Sequence, residues 1–340
     1  MENLKYVNVC YDSQLNGKHI SLFELNVLAS DVVWDYYIAM KNREPTNTSI
    51  TALLGSINTI VGYVAECGKR NQTNSMKMGL TAMSDISDHE MKKINGYKPL
   101  SSLRSISKST QLSWNDCPQF NIYDSLPEKI DYRKIGVVTP VRNQKRCGSC
   151  WAFTITDSVA SLMLLKQYSN DTQLDLSVQQ LIDHDQHSLG CNGGTSDSFK
   201  YVQQYGLTSS KYYPYLGRKS MKNETKSSYP IVAQIKAHCT LSYQWLLPDR
   251  LIMQALVHQG PLYIVMHGEG PNLRNYKSGI IDGTNCSKEP NHAVLLVGYD
   301  HESWILKNSW GTHWGESGFF RVQRGNNACG INTEVAFPIV

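Results

Sequence analysis

Long apolar runs are absent from this sequence of 340 residues. No stretch of about 18 consecutive apolar residues occurs, so we predict no transmembrane helix. A long basic run is also absent, and the net charge is only +4, which argues against nucleic acid or a membrane surface as the partner. Internal repeats and low-complexity linkers are missing as well. The length and the 41% hydrophobic content allow one large globular domain or two.

Residues 1–30 also lack the apolar run of about 7–15 residues that a signal peptide contains. Leu22, Phe23 and Leu25 are near one another, but Glu24 and Asn26 interrupt them. From the sequence alone, either the chain does not enter the secretory route or its true N-terminus is missing or misassigned.

A Cys-Gly-Ser-Cys-Trp run at residues 147–151 is the most informative motif that is present, and it is typical of a thiol-protease nucleophile. An apolar stretch without Gly or Pro follows, so we predict a buried helix that begins at Cys150. A thiol in the first turn faces unpaired backbone amides and the positive end of the helix dipole, so we expect a lowered pKa for Cys150. A thiolate is the nucleophile that covalent catalysis needs.

Other interpretations of Cys147 and Cys150 remain open at this point. The pair could be a redox dithiol, as in thioredoxin-like proteins. It could be half of a zinc site, although no second Cys-x-x-Cys or His-x-x-x-His follows at finger spacing. Both cysteines could also lie in structural disulfides. A protease therefore needs a base and an orienting residue elsewhere in the chain.

Two later motifs supply such residues. His292 begins a strongly apolar strand about 140 residues after Cys150, within the range of roughly 130–150 expected for thiol proteases. Asn308 follows in a Lys-Asn-Ser-Trp-Gly run, slightly beyond that range. A lone histidine at a strand start is more often structural, but here Cys, His and Asn occur together and in the right order.

Together with the motifs around Cys150 and His292, four segments resemble the papain-like cysteine proteases, the cathepsin family, over residues 126–340. They are the Leu-Pro start with Asp-Tyr-Arg at 126–133, the approach to the nucleophile at 138–144, the Gly-Cys-Asn-Gly-Gly loop at 190–194 and the run at 304–311. Within the family, the segments at 176–180, 291–295 and 329–331 look most like the cathepsin O subgroup.

The order of predicted elements fits this resemblance. Helices are predicted first, and strands follow them, so we expect an α+β fold. The resemblance implies two lobes, one helical and one an antiparallel β-barrel-like sheet, with the substrate cleft between them. The predicted helices cover 150–168, 177–183 and 195–205, and the predicted strands cover 231–235, 262–266, 292–299, 304–307 and 319–322.

Residues 1–125 are interpreted as an inhibitory prosegment, and residues 126–340 as the peptidase domain. Apolar residues recur at helical spacing over 49–66. A short aromatic-rich helix is predicted at 31–41, and another short helix from Asp88. The run at 79–85 resembles a degenerate form of a family prosegment motif, and 98–125 is expected to run along the cleft and then be cut.

The resemblance also implies the catalytic roles. Cys150 attacks as the thiolate, and His292 pairs with it and later protonates the leaving amine. Asn308 orients the imidazole, and Trp310 shields that contact from water. Gln144 and the backbone N–H of Cys150 form the oxyanion hole. No metal or cofactor is implied.

Substrate-binding positions are implied in the same way. Gly193 and Gly194 leave room for an extended peptide, although a simple tight turn is the alternative. Trp314 either borders the leaving-group side or is a core aromatic. Glu334 either lies at the far end of the main selectivity pocket or faces solvent. The remaining positions are Gly148, Asn192, Thr195, Ser196, Val265, Pro290 and Asn291.

Disulfides are expected from the family pattern, which pairs Cys147 with Cys191 and Cys286 with Cys329 and leaves Cys150 free. Cys239 then has no implied partner, and Cys10, Cys67 and Cys117 precede the domain. Disulfides imply an oxidising compartment, so we expect a lysosomal or extracellular protein whose true N-terminus is missing or misassigned. Asn-x-Ser/Thr sequons begin at 47, 71, 170, 223 and 285 and support this weakly.

The sequence departs from the family at two places. Lys145 replaces a usual glycine beside Gln144, which could alter that loop. His184 stands where the family usually has a cysteine, and the partner cysteine near Met221 is absent too, so one disulfide is lost as a pair.

The function expected from these observations is a monomeric cysteine endopeptidase made as a zymogen. Its partners are protein or peptide substrates, its own prosegment as inhibitor, and cystatin-type inhibitors. A catalytically silent peptide-binding homologue and a thiol-disulfide oxidoreductase are the alternatives. The latter requires a free Cys147.

Overall fold

A computed structural model describes residues 46–70, 76–99, 117–169, 174–220, 229–242 and 246–340, with only the backbone at 64–70. The predicted helix at 31–41 and most of 98–125 lie outside the described residues. In the described part of the chain, no helix is both long enough and apolar enough to span a bilayer.

Three α-helices form one lobe: α3 (Cys150–Leu165), α4 (Val178–His184) and α5 (Phe199–Tyr205). Every residue of α3 before Leu165 is buried, which explains why its sequence is apolar on all sides. The predicted helix at 150–168 ends early, because Gln167 has a φ of 58° and cannot continue a right-handed helix. The predicted helix at 195–205 is a 3₁₀ turn, Ser196–Ser198, followed by α5.

A sheet forms the other lobe. The strands are β2 (Ile130–Asp131), β3 (Ala237–Ser242), β4 (Leu262–Met266), β6 (Ile280–Ile281), β7 (His292–Tyr299), β8 (Ser303–Lys307), β9 (Phe319–Gln323) and β10 (Glu334–Ile339). Their order in the sheet is β3-β10-β4-β7-β8-β9-β6, and β2 pairs with β7 beside that path. Among these described strands every pair is antiparallel except β6 with β9. Helix α6 (Asp249–Gln259) and the short helix α7 (Pro271–Arg274) flank the sheet.

The two-lobed α+β architecture is therefore confirmed, with one strand misplaced. The strand predicted at 231–235 is wrong, since Ala233 makes only an isolated bridge to Leu207. The chain forms β3 a few residues later, where Cys239 and Leu241 enter the core and pair with β10. The strands predicted around 262–266, 292–299, 304–307 and 319–322 are confirmed.

A buried ion cluster joins the lobes. Asp157 of α3 receives Lys307 of β8 at 2.9 Å and Arg142 at 2.7 Å. Burial alone raises the pKa of Asp157, but the two cations bring it below its ordinary value. Both lobes also share one apolar cluster, in which Cys150 and Trp151 lie with Val265, Ala293 and Ala336.

The N-terminal region, described at residues 46–70 and 76–99, lies across these lobes. Helix α1 (Asn47–Arg70) covers the predicted 49–66 helix and buries Leu53 and Ile60, whereas Leu54 and Val61 of the predicted apolar stripe are exposed. Helix α2 (Asp88–Ile94) begins at the predicted Asp88, with a capping box formed by Ser87 and Glu90.

The N-terminal region docks on α7 and on β5 (Tyr276–Ser278), which pairs with β1 (Lys77–Met78). The run at 79–85 forms turns after β1. There Thr81 Oγ1 donates to the carbonyl of Arg274 at 2.7 Å, and Ser84 Oγ donates to Asn275 Oδ1 at 2.6 Å. Buried side-chain hydrogen bonds thus fix this region to the sheet lobe.

Candidate active site

Cys150 lies at the first position of α3, as predicted, and is fully buried. The backbone of the N-terminal region covers it, and the N–H of Gly96 donates to its Sγ at 3.3 Å. Burial raises the pKa of the Cys150 thiol, while backbone hydrogen bonds from Ala293 and Gly96 act in the opposite direction. The predicted lowering of this pKa is therefore wrong for the covered state, because loss of water outweighs the backbone hydrogen bonds to the sulfur.

His292 is the first residue of β7 and is also fully buried. Its Nε2 lies 2.9 Å from Asn308 Oδ1, and the ring of Trp310 is tilted against it with centroids 5.0 Å apart. Burial lowers the pKa of His292 to about 4, although the hydrogen bond that its Nε2–H donates to Asn308 Oδ1 opposes this. Nδ1 of His292 has no hydrogen-bond partner among the described residues.

The two pKa shifts together oppose a thiolate–imidazolium pair. A raised thiol pKa and a lowered imidazole pKa both favour the neutral forms. The predicted ion pair between Cys150 and His292 is thus disfavoured in this covered state.

Gln144 presents its side-chain amide to the N-terminal region. Nε2 donates to the carbonyl of Ile94 at 2.8 Å and to that of Cys147 at 2.9 Å. Ser309 Oγ donates to Gln144 Oε1 at 2.6 Å, which fixes which end of the amide points to the cleft. A carbonyl oxygen from the N-terminal region therefore occupies the donor expected to hold an oxyanion.

Sequence reasoning missed two residues that position this loop. Ser309 is one, although its place between Asn308 and Trp310 was a signal. Tyr215 is the other: its hydroxyl donates to the carbonyl of Gln144 at 2.6 Å and lies 2.9 Å from Ser149 Oγ. No local motif reveals that Tyr215, far along the chain, reaches the nucleophile loop.

Lys145 sits in the left-handed region with a φ of 54°. This conformation is favourable for glycine and costs other L-residues about 1–2 kcal/mol. The departure noted in the sequence therefore strains the backbone beside Gln144, while the side chain itself is exposed.

Residues 96–98 pair with the cleft as an extended peptide does. Gly194 N donates to Gly96 O at 2.7 Å, and Lys98 N donates to Gly194 O at 2.8 Å. Tyr97 N donates to Asn291 O, on the other lobe, at 3.0 Å. A Cβ on Gly96 would lie 1.9 Å from the carbonyl oxygen of Gly148, so only glycine fits there.

The cleft is thus covered by residues 94–98, most of which precede the 98–125 stretch that was expected to run along it; residues 100–116 of that stretch lie outside the described residues. Gly148 and Gly193 are likewise crowded by backbone atoms of the N-terminal region, Lys93 O and Gly96 O.

Tyr97 fills the predicted selectivity pocket. Its hydroxyl donates to Glu334 Oε2 at 2.9 Å, and Ser196 Oγ donates to Glu334 Oε1 at 2.7 Å. Glu334 is only 3% exposed, so the solvent-facing alternative is wrong. Burial raises the pKa of Glu334, and the hydrogen bonds from Ser196 and Tyr97 oppose that shift. Val265 lies in the same buried cluster as Tyr97.

The other predicted binding residues contact neighbouring parts of the domain or are at least partly exposed. Thr195 is buried and caps the 3₁₀ turn that follows it, and Asn291 Nδ2 donates to Glu269 at 2.7 Å. Asn192 is exposed, and Pro290 is half-buried. Trp314 is fully buried, with Nε1 donating to Leu273 O at 3.0 Å and its ring edge-on to Trp310.

The structure forms three disulfides: Cys147–Cys191, Cys286–Cys329 and Cys117–Cys239. Cys150 is the free cysteine among the side chains that the structure describes. The oxidoreductase alternative needed a free Cys147 and is contradicted by its bond to Cys191. In the described ranges, no group of three or more His, Cys, Asp or Glu could hold a metal ion.

Comparison with known proteins places this site in a family. The description "Papain family cysteine protease" matches residues 126–339. Procathepsin L of Rattus norvegicus is 34% identical over 285 residues, which are 79% of this chain and 80% of that protein. Papain of Carica papaya is 32% identical over 288 residues, 82% of this chain and 77% of that protein.

Solved structures agree. Digestive procathepsin L 3 of Tenebrio molitor has a TM-score of 0.77 at 25% identity, covering 92% of this chain and 99% of that chain. A Carica candamarcensis cysteine protease in complex with E-64 has a TM-score of 0.56 at 36% identity, covering 63% of this chain and 99% of that chain.

The two-lobed fold and the family match define a cysteine-type peptidase. This chain belongs to the papain family of cysteine proteases. It has the papain-like fold, with a prosegment, as its procathepsin neighbours do. The resemblance to cathepsin O within that family stays a prediction.

Proposed function

We propose that the chain is the zymogen of an endopeptidase whose catalytic residues are Cys150, His292, Asn308 and Gln144. The observation that carries this is the way residues 94–98 occupy the site. The carbonyl oxygen of Ile94 accepts a hydrogen bond from the side-chain amide of Gln144, and the N–H of Gly96 donates one to the sulfur of Cys150. A peptide carbonyl and a peptide N–H thus already contact the two groups that would act on a substrate.

Removal of the N-terminal region would reverse both pKa shifts. Water then reaches Cys150 and His292, so the pKa of the thiol falls and that of the imidazole rises. The proton moves from Sγ to the imidazole, and the helix dipole and backbone amides favour the resulting thiolate.

The thiolate then attacks the scissile carbonyl carbon and forms a tetrahedral oxyanion. Gln144 Nε2 and the N–H of Cys150 donate to that oxygen, and losing one such donor costs about 2.7–4 kcal/mol. His292 gives its proton to the leaving amine, and Asn308 holds the ring in that orientation. Water then hydrolyses the thioester, with His292 as the base, and regenerates the thiol.

Glu334 is proposed as the specificity residue. Tyr97 shows which side chain the pocket accepts. Its aromatic ring lies with Val265 and other apolar residues, and its hydroxyl donates to the carboxylate of Glu334. A substrate with Tyr or Arg two residues before the scissile bond can donate to Glu334 in the same way.

The test compares Phe-Arg and Arg-Arg peptide substrates in the processed wild type and in Glu334→Ala. We expect the kcat/KM ratio of Arg-Arg to Phe-Arg to fall at least tenfold in the variant. An unchanged ratio means that Glu334 does not select the substrate side chain two residues before the scissile bond. Glu316→Ala is the matched control, because Glu316 pairs with Arg321 elsewhere in the sheet lobe.

The setting of the enzyme is also proposed. Residues 1–125 would act as the inhibitory prosegment of the domain at 126–340, and three disulfides support a lysosomal or extracellular location. We propose that its substrates are proteins, as they are for other members of the family. We further propose a monomer that cystatin-type inhibitors can block.

The decisive experiment labels the processed protein with an epoxysuccinyl inhibitor and maps the adduct. We expect one adduct, on Cys150, and hydrolysis of a peptide substrate that stops in proportion to labelling. Cys150→Ser should give neither. Labelling without any hydrolysis would support the catalytically silent peptide-binding homologue, and absence of labelling would contradict the proposed protease activity.

A further inference from the structure

A disulfide joins a stretch before the predicted mature start to the peptidase sheet. Cys117 bonds to Cys239, which lies in β3 opposite Phe337 of β10. Cys117 is 8% exposed and Cys239 is 1% exposed, so both sulfurs are shielded from water. Neither cysteine had an implied partner in the family pattern.

The residues that follow Cys117 are also bound to the peptidase domain. Phe120 stacks on His258 and meets Phe337 edge-on, both with centroids 6.0 Å apart. Gln254 donates to the carbonyls of Asn121 at 3.0 Å and Asp124 at 3.1 Å. We call residues 117–125 the anchored segment.

A second donor on α6 adds to this. Arg250 donates to the carbonyls of Ile122 and Asp124, the latter at 2.7 Å. These partners lie on α6, β3 and β10, and neither Arg250 nor Gln254 has a role in the catalytic site. The anchored segment is therefore held by the body of the domain, and not through the cleft.

We propose that the anchored segment is a permanent part of the active protease, retained through Cys117–Cys239 after the inhibitory residues have left. A cut near Leu126 does not free it, since the disulfide still joins it to β3. Only two-electron reduction of that disulfide by an added thiol or phosphine, which leaves two cysteine thiols, releases it. The functional boundary thus lies before Cys117 and not at 125/126.

The test uses the full chain carrying Cys150→Ser, so that it does not depend on the protein's own activity. Chymotrypsin should cut after Tyr123, which is 86% exposed. The digest is denatured without reductant, free thiols are alkylated, and the domain fragment is weighed by mass spectrometry. We expect the peptide that contains Cys117 to remain attached and to leave only after phosphine treatment.

Two results would overturn the proposal. One is a domain fragment without the Cys117 peptide before reduction; the other is alkylation of Cys239 in the unreduced protein. Cys150→Ser with Cys117→Ser and Cys239→Ser is the control, which should lose the peptide on denaturation alone. The key measurement keeps the native disulfide, so poor folding of this control leaves the test intact.

Wild-type protein that has processed itself extends the test to natural maturation. After labelling of Cys150 with an epoxysuccinyl inhibitor, the labelled species should carry the Cys117 peptide in the unreduced state. A labelled species without it shows that the segment is lost on maturation. Failure of labelling bears on the proposed function alone.

Discussion

Residues 94–98 and the anchored segment both precede Leu126, yet they are attached to the domain in different ways. Residues 94–98 rely on backbone hydrogen bonds to Gln144, Cys150 and Gly194 and on the buried side chains of Ile94 and Tyr97. The anchored segment is held by a disulfide and by α6. The first set of contacts can be exchanged for a substrate's, and the second cannot, so only the first suits a removable inhibitor.

The largest effect should come from Gln144→Ala, because the transition state and Ile94 use the same donor. In the processed enzyme kcat should fall by a factor of about 100–1000. In the uncut zymogen the same change should speed epoxysuccinyl labelling, since Ile94 loses its partner. Retention of the anchored segment should not change. A normal kcat in the variant would remove Gln144 from the proposed oxyanion hole.

A smaller effect is expected for Gly96→Ala. The added Cβ would lie 1.9 Å from Gly148 O, so the backbone of residues 94–98 must move. Overpacking typically costs about 1–3 kcal/mol, which is a factor of about 5–150 in the closed population. Labelling of the uncut zymogen should quicken accordingly.

Gly55→Ala is the matched control for this change, because nothing lies within 4 Å of a Cβ there. It should leave the labelling rate of the zymogen as it is. Equal rates for Gly96→Ala and Gly55→Ala would show that close packing at Gly96 does not keep the site closed.

A pH dependence distinguishes the same two regions. Burial lowers the pKa of His292, and likewise of His238 in β3, from 6.5 to about 4. Between these pH values the unfolded chain binds more protons than the folded one. The contribution of these histidines to the free energy of unfolding is therefore complete above pH 6.5 and is lost as the pH falls to 4. Fully buried His292 accounts for at most about 3 kcal/mol of this loss.

His292 lies in the site that residues 94–98 close over Cys150, whereas His238 packs on Phe199 within the domain. Denaturant unfolding of Cys150→Ser at pH 7 and pH 4.5 should therefore show a larger drop for the uncut chain than for the processed one. His238→Phe should reduce the drop in both. Identical pH slopes before and after processing would contradict the assignment to His292.

The smallest effect should come from Lys145→Gly. Relief of the left-handed strain, about 1–2 kcal/mol, is offset by the greater freedom of glycine when unfolded, about 0.4–1 kcal/mol. A gain of less than about 1 kcal/mol should raise the thermal midpoint in cut and uncut protein alike. Lys129→Gly, with no positive φ, should lower it; a lowered midpoint for Lys145→Gly too would show that the loop is not strained.

Local motifs explain what the sequence could predict. The run at 147–151, the strand start at His292 and the run around Asn308 each carry their chemistry within a few residues, so their positions at α3, β7 and the end of β8 could be expected. Helix α2 could likewise be expected, because Ser87 and Glu90 are the residue types that form a capping box. Each of these depends on neighbours along the chain.

Contacts between distant residues were beyond such reasoning. The pKa of Cys150 was predicted from the helix dipole and the unpaired amides of the first turn, since nothing marked Gly96 as its cover. The partner of Cys239 could not be deduced, because sequence does not determine disulfide connectivity. The strand at 231–235 was misplaced because an apolar run does not say which of its residues finds a pairing partner.

The buried cluster of Asp157, Lys307 and Arg142 has a consequence for motion. It connects α3 of one lobe with β8 of the other, and the side chains of Lys307 and Asp157 are only 1% and 7% exposed, so separating the lobes would break an ion pair that is shielded from solvent. We therefore expect hinge opening of the lobes to be a rare excursion and not a step of each turnover. The width of the cleft is set before any peptide arrives, and departure of residues 94–98 is the rearrangement on which access depends.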